Sequence, residues 1–274
     1  FLSCTLMFFD FAIPITVLLV IPSKKESGIG VIGVAKTMVS EIFGSNAVLI
    51  EMATTSTLVL LFFANYVVML SAFNMVGRFI WASTSDYIGR KNTYHCFFVL
   101  GAILYSSIPY FALQASADPT TVLYFAGFCI ASMIIFTMYG GGFATIPAYL
   151  ADIFGTMHVG GIHGRLLTAW STAGVLGPLS ITELRSYSLN QAINDLVQKI
   201  DPSKFLDKFG APVEQLDQLV AAKTVSIARL MEIVPEGTID PTPSLYNTTM
   251  YAMAGLLVVA FVANLLLKPV NSKH

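Results

Sequence analysis

Residues 71–93 read "SAFNMVGRFIWASTSDYIGRKNT", and they pose a physical question. An apolar run takes in an arginine, Arg78, well before it ends, and a knot of charge (Asp86, Arg90, Lys91) follows immediately outside it. On a helix, Ser71, Asn74, Arg78, Ala82 and Ser85 recur every three or four residues, so they form one small, polar stripe on an otherwise oily rod. At a rise of about 1.5 Å per residue, Arg78 lies about 12 Å deeper than Asp86 in a hydrocarbon layer about 30 Å thick. A charge at that depth costs at least about 2.5–3.5 kcal/mol on insertion scales. Arginine cannot escape the cost by losing its proton, and its planar fork suits a carboxylate. The plainer reading is a side chain that snorkels to the nearer surface, which the depth just allows. That reading leaves Asn74 and Ser71 on the same stripe unexplained.

The rest of the chain agrees that the solvent is lipid. Of its 274 residues 55% are hydrophobic and 11% charged, whereas soluble domains carry about a quarter charged residues. A multi-span protein of the plasma (inner) membrane is expected. Six apolar stretches are long enough to cross, at 1–21, 57–81, 94–114, 122–147, 160–182 and 247–267. Residues 28–43 form a shorter run carrying Lys36 and Glu41, split from the first by "PSKKES" at 22–27. Residues 1–27 form an atypical segment, interrupted by Asp10 and Pro14 and lacking a basic leader, so a signal peptide is not expected. The chain opens on Phe1, which reads as a piece of a longer protein.

Arg90 and Lys91 after the second stretch, Arg165 early in the fifth, and Lys268 and Lys273 after the sixth fall on one side, which is then cytoplasmic. The opposite side receives residues 183–246, with 6 Lys/Arg against 9 Asp/Glu. Leu189, Ile193, Leu196, Val197 and Ile200 recur there at helical spacing, and a second amphipathic run covers about 213–234 between Pro212 and Pro235. A helical extracytoplasmic insertion is therefore expected before the last span. The organisation is residues 28–182 as a transmembrane bundle, 183–246 as the outer loop, and 247–274 as the last helix with its tail. Asn247-Thr248-Thr249 fits a glycosylation pattern but abuts the membrane and reads as chance. A net charge of −1 gives no reason to expect nucleic acid, and Cys4, Cys96 and Cys129 are scattered through apolar runs, unlike a metal site or a disulfide framework. No cofactor or metal is expected. An integral-membrane enzyme needs clustered His, Asp or Glu at a membrane face, and the ionisable groups deep within the apolar stretches are nearly only Arg78, Asp10 and Lys36, so no enzyme is expected. His158 and His163 lie at a cytoplasmic connection.

The "D-x-x-G-R-K" pattern of Asp86, Gly89, Arg90 and Lys91 resembles the signature loop of the major facilitator superfamily, with Ala82 where a glycine is usual. "GIGVIGVAKTMVSEIFG", "GGGFATIPAYLADIFG", "GRLLTAWSTAGVLGPL" and "DPTPSLYNTTMYAMAGLL" extend the likeness over about residues 28–270, and the chain is similar to the oxalate/formate antiporter family. The resemblance implies the carboxy-terminal half of a twelve-helix protein, one all-α bundle of six membrane helices whose partner is a missing amino-terminal half. It implies that Asp86, Gly89, Arg90 and Lys91 act as a conformational latch, and that Arg78, with Asn74, anchors a substrate carboxylate. Oxalate-type members carry a lysine in the eleventh helix of the full protein; the matching stretch here, "LLTAWSTAG", puts Trp170 at or next to that place. One cation and a large aromatic favour a monocarboxylate such as lactate, pyruvate or formate, moved by alternating access with protons or a counter-anion. The alternatives are an oxalate/formate exchanger and, from a different class, a non-transporting receptor or scaffold subunit. Gly140, Gly141, Gly142 and Pro147 mark a helix bend or a close helix contact.

Overall fold

The computed structural model describes residues 57–118, 122–222, 224–235 and 237–268. The first apolar stretch, the 28–43 run, Asp10 and Lys36 lie outside the described residues. Among those described, the chain is helical and has no strand. The long helices are α1 (Thr57–Ile88), α2 (Arg90–Ala117), α3 (Leu123–Phe154) and α4 (Val159–Val197). Three short helices follow, α5 (Pro202–Phe209), α6 (Leu216–Ala221) and α7 (Ile227–Met231), before α8 (Asn247–Leu266). Three segments are both long and apolar enough to cross a membrane, at Arg90–Ala115, Leu123–Phe154 and Thr242–Leu266.

Helix ends are set by backbone breakers rather than by the end of the oil. The apolar stretches expected at 57–81 and 122–147 continue as helix to Ile88 and Phe154. In lipid every backbone N–H and C=O must be satisfied within the segment, so helical bonding continues until a residue turns the chain out of it. Gly89 does so after α1 and Gly155 after α3, at φ +88° and +79°, values that side chains other than glycine rarely tolerate. Gly89 alone separates α1 from α2; its N–H bonds Ser85 O at 3.1 Å and its carbonyl receives the Thr93 N–H at 3.0 Å.

α4 differs most from expectation. The fifth apolar stretch was expected to end at residue 182, but the helix runs on to Val197 over 39 residues. That is about 58 Å of rod, roughly twice the hydrocarbon thickness. Its outer part keeps one apolar face in phase, so Ile193, Leu196 and Val197 are buried, and Ile200 follows them. They share one hydrophobic core with Phe205, Val225, Ile227 and Leu230 and with the bundle residues. The run at 213–234 is not one helix. Ser226, in extended conformation, caps a new helix by accepting the Arg229 N–H, and Arg229 also bonds the Thr224 carbonyl at 3.0 Å. These local polar bonds compete with helix continuation, which amphipathic spacing does not register.

Within the bundle, α3 contacts both α1 and α2, which also touch each other, while α8 lies on α2. Tyr94, Phe97, Phe98 and Tyr105 of α2 are buried with Phe128 and Phe136 of α3 and Met250, Met253 and Leu257 of α8. α1 reaches α3 through glycines. A methyl group placed on Gly77 would strike the Thr137 backbone, one on Gly140 the Asn74 carbonyl, and one on Gly141 the Trp81 side chain. Small residues at such crossings let backbones approach and gain dispersion contact, the main attraction between helices once water is gone.

Candidate functional site

The close α1–α3 crossing fixes where Arg78 sits. Gly77 is buried against Thr137, so the next residue projects beside that contact; Arg78 is exposed and Asn74, one turn earlier, is half-buried. Trp81 donates its indole N–H to the Thr137 hydroxyl at 3.2 Å, locking the same crossing one turn on. Arg78 then lies within electrostatic reach of Tyr139 on α3. Tyr139 in turn belongs to a group of rings that reaches Trp170 of α4. Phe143 completes the group, with its ring 5.1 Å from Tyr139 and 5.6 Å from Trp170, edge to face. Arg78 and Trp170, far apart in sequence, thus meet at the Tyr139–Phe143 ring pair, and three helices contribute to one patch.

The patch is one cation beside an aromatic wall. Among the described residues, ion pairs join Arg90 to Asp86 and Lys208 to Glu232, and neither involves Arg78. Its flanks on α1 are exposed and apolar, with Met75 60% and Phe79 70% accessible. On α4, Val175 and Leu179 are likewise exposed, and Trp170 is 38% accessible. Such an arrangement can hold an anion by charge and by the guanidinium fork, with the rings shaping the apolar remainder. Tyr139 and Phe143 were not singled out from sequence. They lie one helical turn apart around the Gly140–Gly142 run, and in a helix this apolar an aromatic carries no distinguishing signal until its neighbours are known.

The other sequence candidates fall elsewhere. At the end of α1, Arg90 bonds both the Asp86 carboxylate and the Ser85 hydroxyl and reaches the Ala82 carbonyl at 3.3 Å. Asp86 is mostly exposed and Arg90 mostly covered. Lys91 points away from that pair, to the carbonyls of Leu265 and Leu267 at 3.1 and 2.7 Å. A cleft of about 260 Å³ lies between them, lined by Gly89, Arg90, Lys91, Tyr149, Asp152 and Leu267. Gly140 and Gly141 face α1 closely, and the Gly142 carbonyl receives the Tyr94 hydroxyl at 2.7 Å. Pro147 lies inside α3, which continues past it to Phe154. Among the described residues no group of three or more His, Cys, Asp or Glu is placed to hold a metal ion.

Outside the three segments long and apolar enough to cross a membrane, two carboxylates are perturbed. Asp201 caps α5 by accepting the Ser203 N–H at 3.0 Å, and hydrogen bonds from Ser203 hold its carboxyl below the usual range. Glu232 is held low by its hydrogen bond from Lys208 at 2.5 Å. Both belong to the outer cap and not to the Arg78 patch. No family model, curated protein or solved structure matches the chain.

Proposed function

We propose that the chain is one six-helix half of a secondary transporter that carries a small monocarboxylate such as lactate, pyruvate or formate by alternating access. The observation that carries this reading is Arg78. It is exposed on an apolar helix face, has no ion pair among the described residues, and lies within electrostatic reach of Tyr139, whose ring packs with Phe143 and, through it, Trp170. A lipid-facing surface would reject that cation, at a cost of about 2.5–3.5 kcal/mol or more. A face that opens on a water-filled path between two bundles would accept it, with the substrate as a transient counterion. The exposed apolar surface of α1 and α4 around the arginine is then the surface that the amino-terminal half covers. Protons or a counter-anion would drive the cycle in the plasma (inner) membrane.

Among the described residues of the patch, Arg78 supplies the cation and Trp170 a neutral wall, which favours one carboxylate over the two of oxalate. A receptor or scaffold subunit would not need the arginine. The test is uptake of radiolabelled lactate, formate and oxalate into proteoliposomes holding the full-length protein. Saturable uptake of a monocarboxylate, lost in Arg78→Ala, is expected. Absence of saturable uptake for every acid sinks the transporter reading, while unchanged uptake by the variant sinks only the anchor.

A further inference from the structure

The three charges of the loop after α1 are read together from sequence, but they do different things. The Lys91 ammonium donates to the carbonyls of Leu265 and Leu267. These lie at the end of α8, where the final carbonyls of a helix have no intrahelical donor and carry its negative pole. The same place is tied a second time. Asn264, fully buried near the end of α8, donates its amide to the Lys91 carbonyl at 3.2 Å. Its side-chain oxygen receives the Tyr149 hydroxyl of α3 at 2.6 Å. Tyr149 stacks on Tyr94 of α2 at 5.1 Å between ring centroids, and the Tyr94 hydroxyl returns to α3 at Gly142. One buried amide therefore bridges α2 and α3 from α8, and one lysine closes the end of α8 from outside.

We infer that Lys91, Asn264 and Tyr149 form a permanent clamp fastening the end of α8 to the α2–α3 pair, and that only the Asp86–Arg90 part of the knot is built to exchange partners. The geometry separates the two roles. The clamp acceptors are backbone carbonyls and a buried amide, which stay where their helices stay. The Asp86 carboxylate is 63% exposed and pairs with a residue one turn away across Gly89, so releasing it moves no helix. The clamp is independent of what is carried through the bundle, and it divides the loop into a fixed and a releasable half.

Hydrogen–deuterium exchange of the full chain in detergent tests the division. Lys91→Gln should speed exchange of the amides at 263–268 about five- to tenfold, because the helix end opens locally without its cap. Lys91→Arg, which can still donate to carbonyls, should restore protection. Asp86→Asn should leave those amides within about twofold of the parent while altering the residues around Gly89. Lys91 is only partly covered, so its variants test the clamp even if Asn264→Leu does not fold. Unchanged exchange at 263–268 in Lys91→Gln overturns the proposal, and so does an equal acceleration in Asp86→Asn.

Discussion

Arg78 and Lys91 lie a few helical turns apart and end in opposite situations. Lys91 spends its charge on the last carbonyls of α8, within a closed polar network that includes a fully buried asparagine. Arg78 stands on an exposed face beside aromatic rings, with no acid paired to it among the described residues. A charge whose partners are built into the same bundle stabilises the bundle. A charge without such partners is costly in lipid, and under the proposed transport reading its partner is one that comes and goes. Residue type distinguishes neither case; the number of local acceptors does.

The comparison can be broken most directly at Arg78. Arg78→Ala should weaken carboxylate uptake by about 100-fold, the scale of losing one desolvated charge-assisted contact. Arg78→Lys, which keeps the charge but not the fork, should recover part of it. If Arg78→Ala lowers thermal stability and leaves uptake intact, Arg78 is structural in the same sense as Lys91. A somewhat smaller effect is expected at the crossing that positions the arginine. Gly140→Ala places a methyl against the Asn74 carbonyl, and forcing the rods apart should destabilise the protein by about 1–3 kcal/mol, read from thermal unfolding in detergent. Tyr139→Phe sharpens the comparison further. It removes a hydroxyl within electrostatic reach of Arg78 while keeping the ring, and should raise the half-saturating carboxylate concentration about three- to tenfold with little change in unfolding temperature.

The smallest effect belongs to the cap. The folded-state values of Asp201 and Glu232 are depressed, so their contribution is present above the ordinary carboxylate range and lost as pH falls through the depressed values. Protease protection of residues 202–231 should decline slightly between pH 5 and pH 3. Neutralising Lys208 should reduce the Glu232 share of that decline. Because both groups are exposed, the membrane helices should show no matching change.

Much of this was legible before any coordinates. The polar stripe on α1 and the break at Gly89 are written in a spacing and in a residue that alone accepts that backbone angle. The helical character of 189–200 followed from its apolar period. The continuation of α4 through residue 182 was hidden, because hydropathy reports where oil ends and backbone bonding does not stop there. The break at Thr224–Ser226 was hidden for the converse reason, since apolar spacing carried on across a local cap. Asn264 gave no signal as one polar residue near the end of an oily span. Tyr139 was one aromatic among many.

The sequence by itself determined that the protein is helical and built for lipid, because so little charge on so apolar a chain leaves only internally bonded backbone as a solution. It also determined that one arginine would be out of place there. The tertiary structure decided which charges are satisfied, because that depends on which helix ends and rings meet. Glycines bring α1 against α3 and set Arg78 within electrostatic reach of Tyr139, and the return of α8 gives Lys91 its carbonyls. Contacts between residues so distant in the chain follow from packing shape, and no local pattern encodes them.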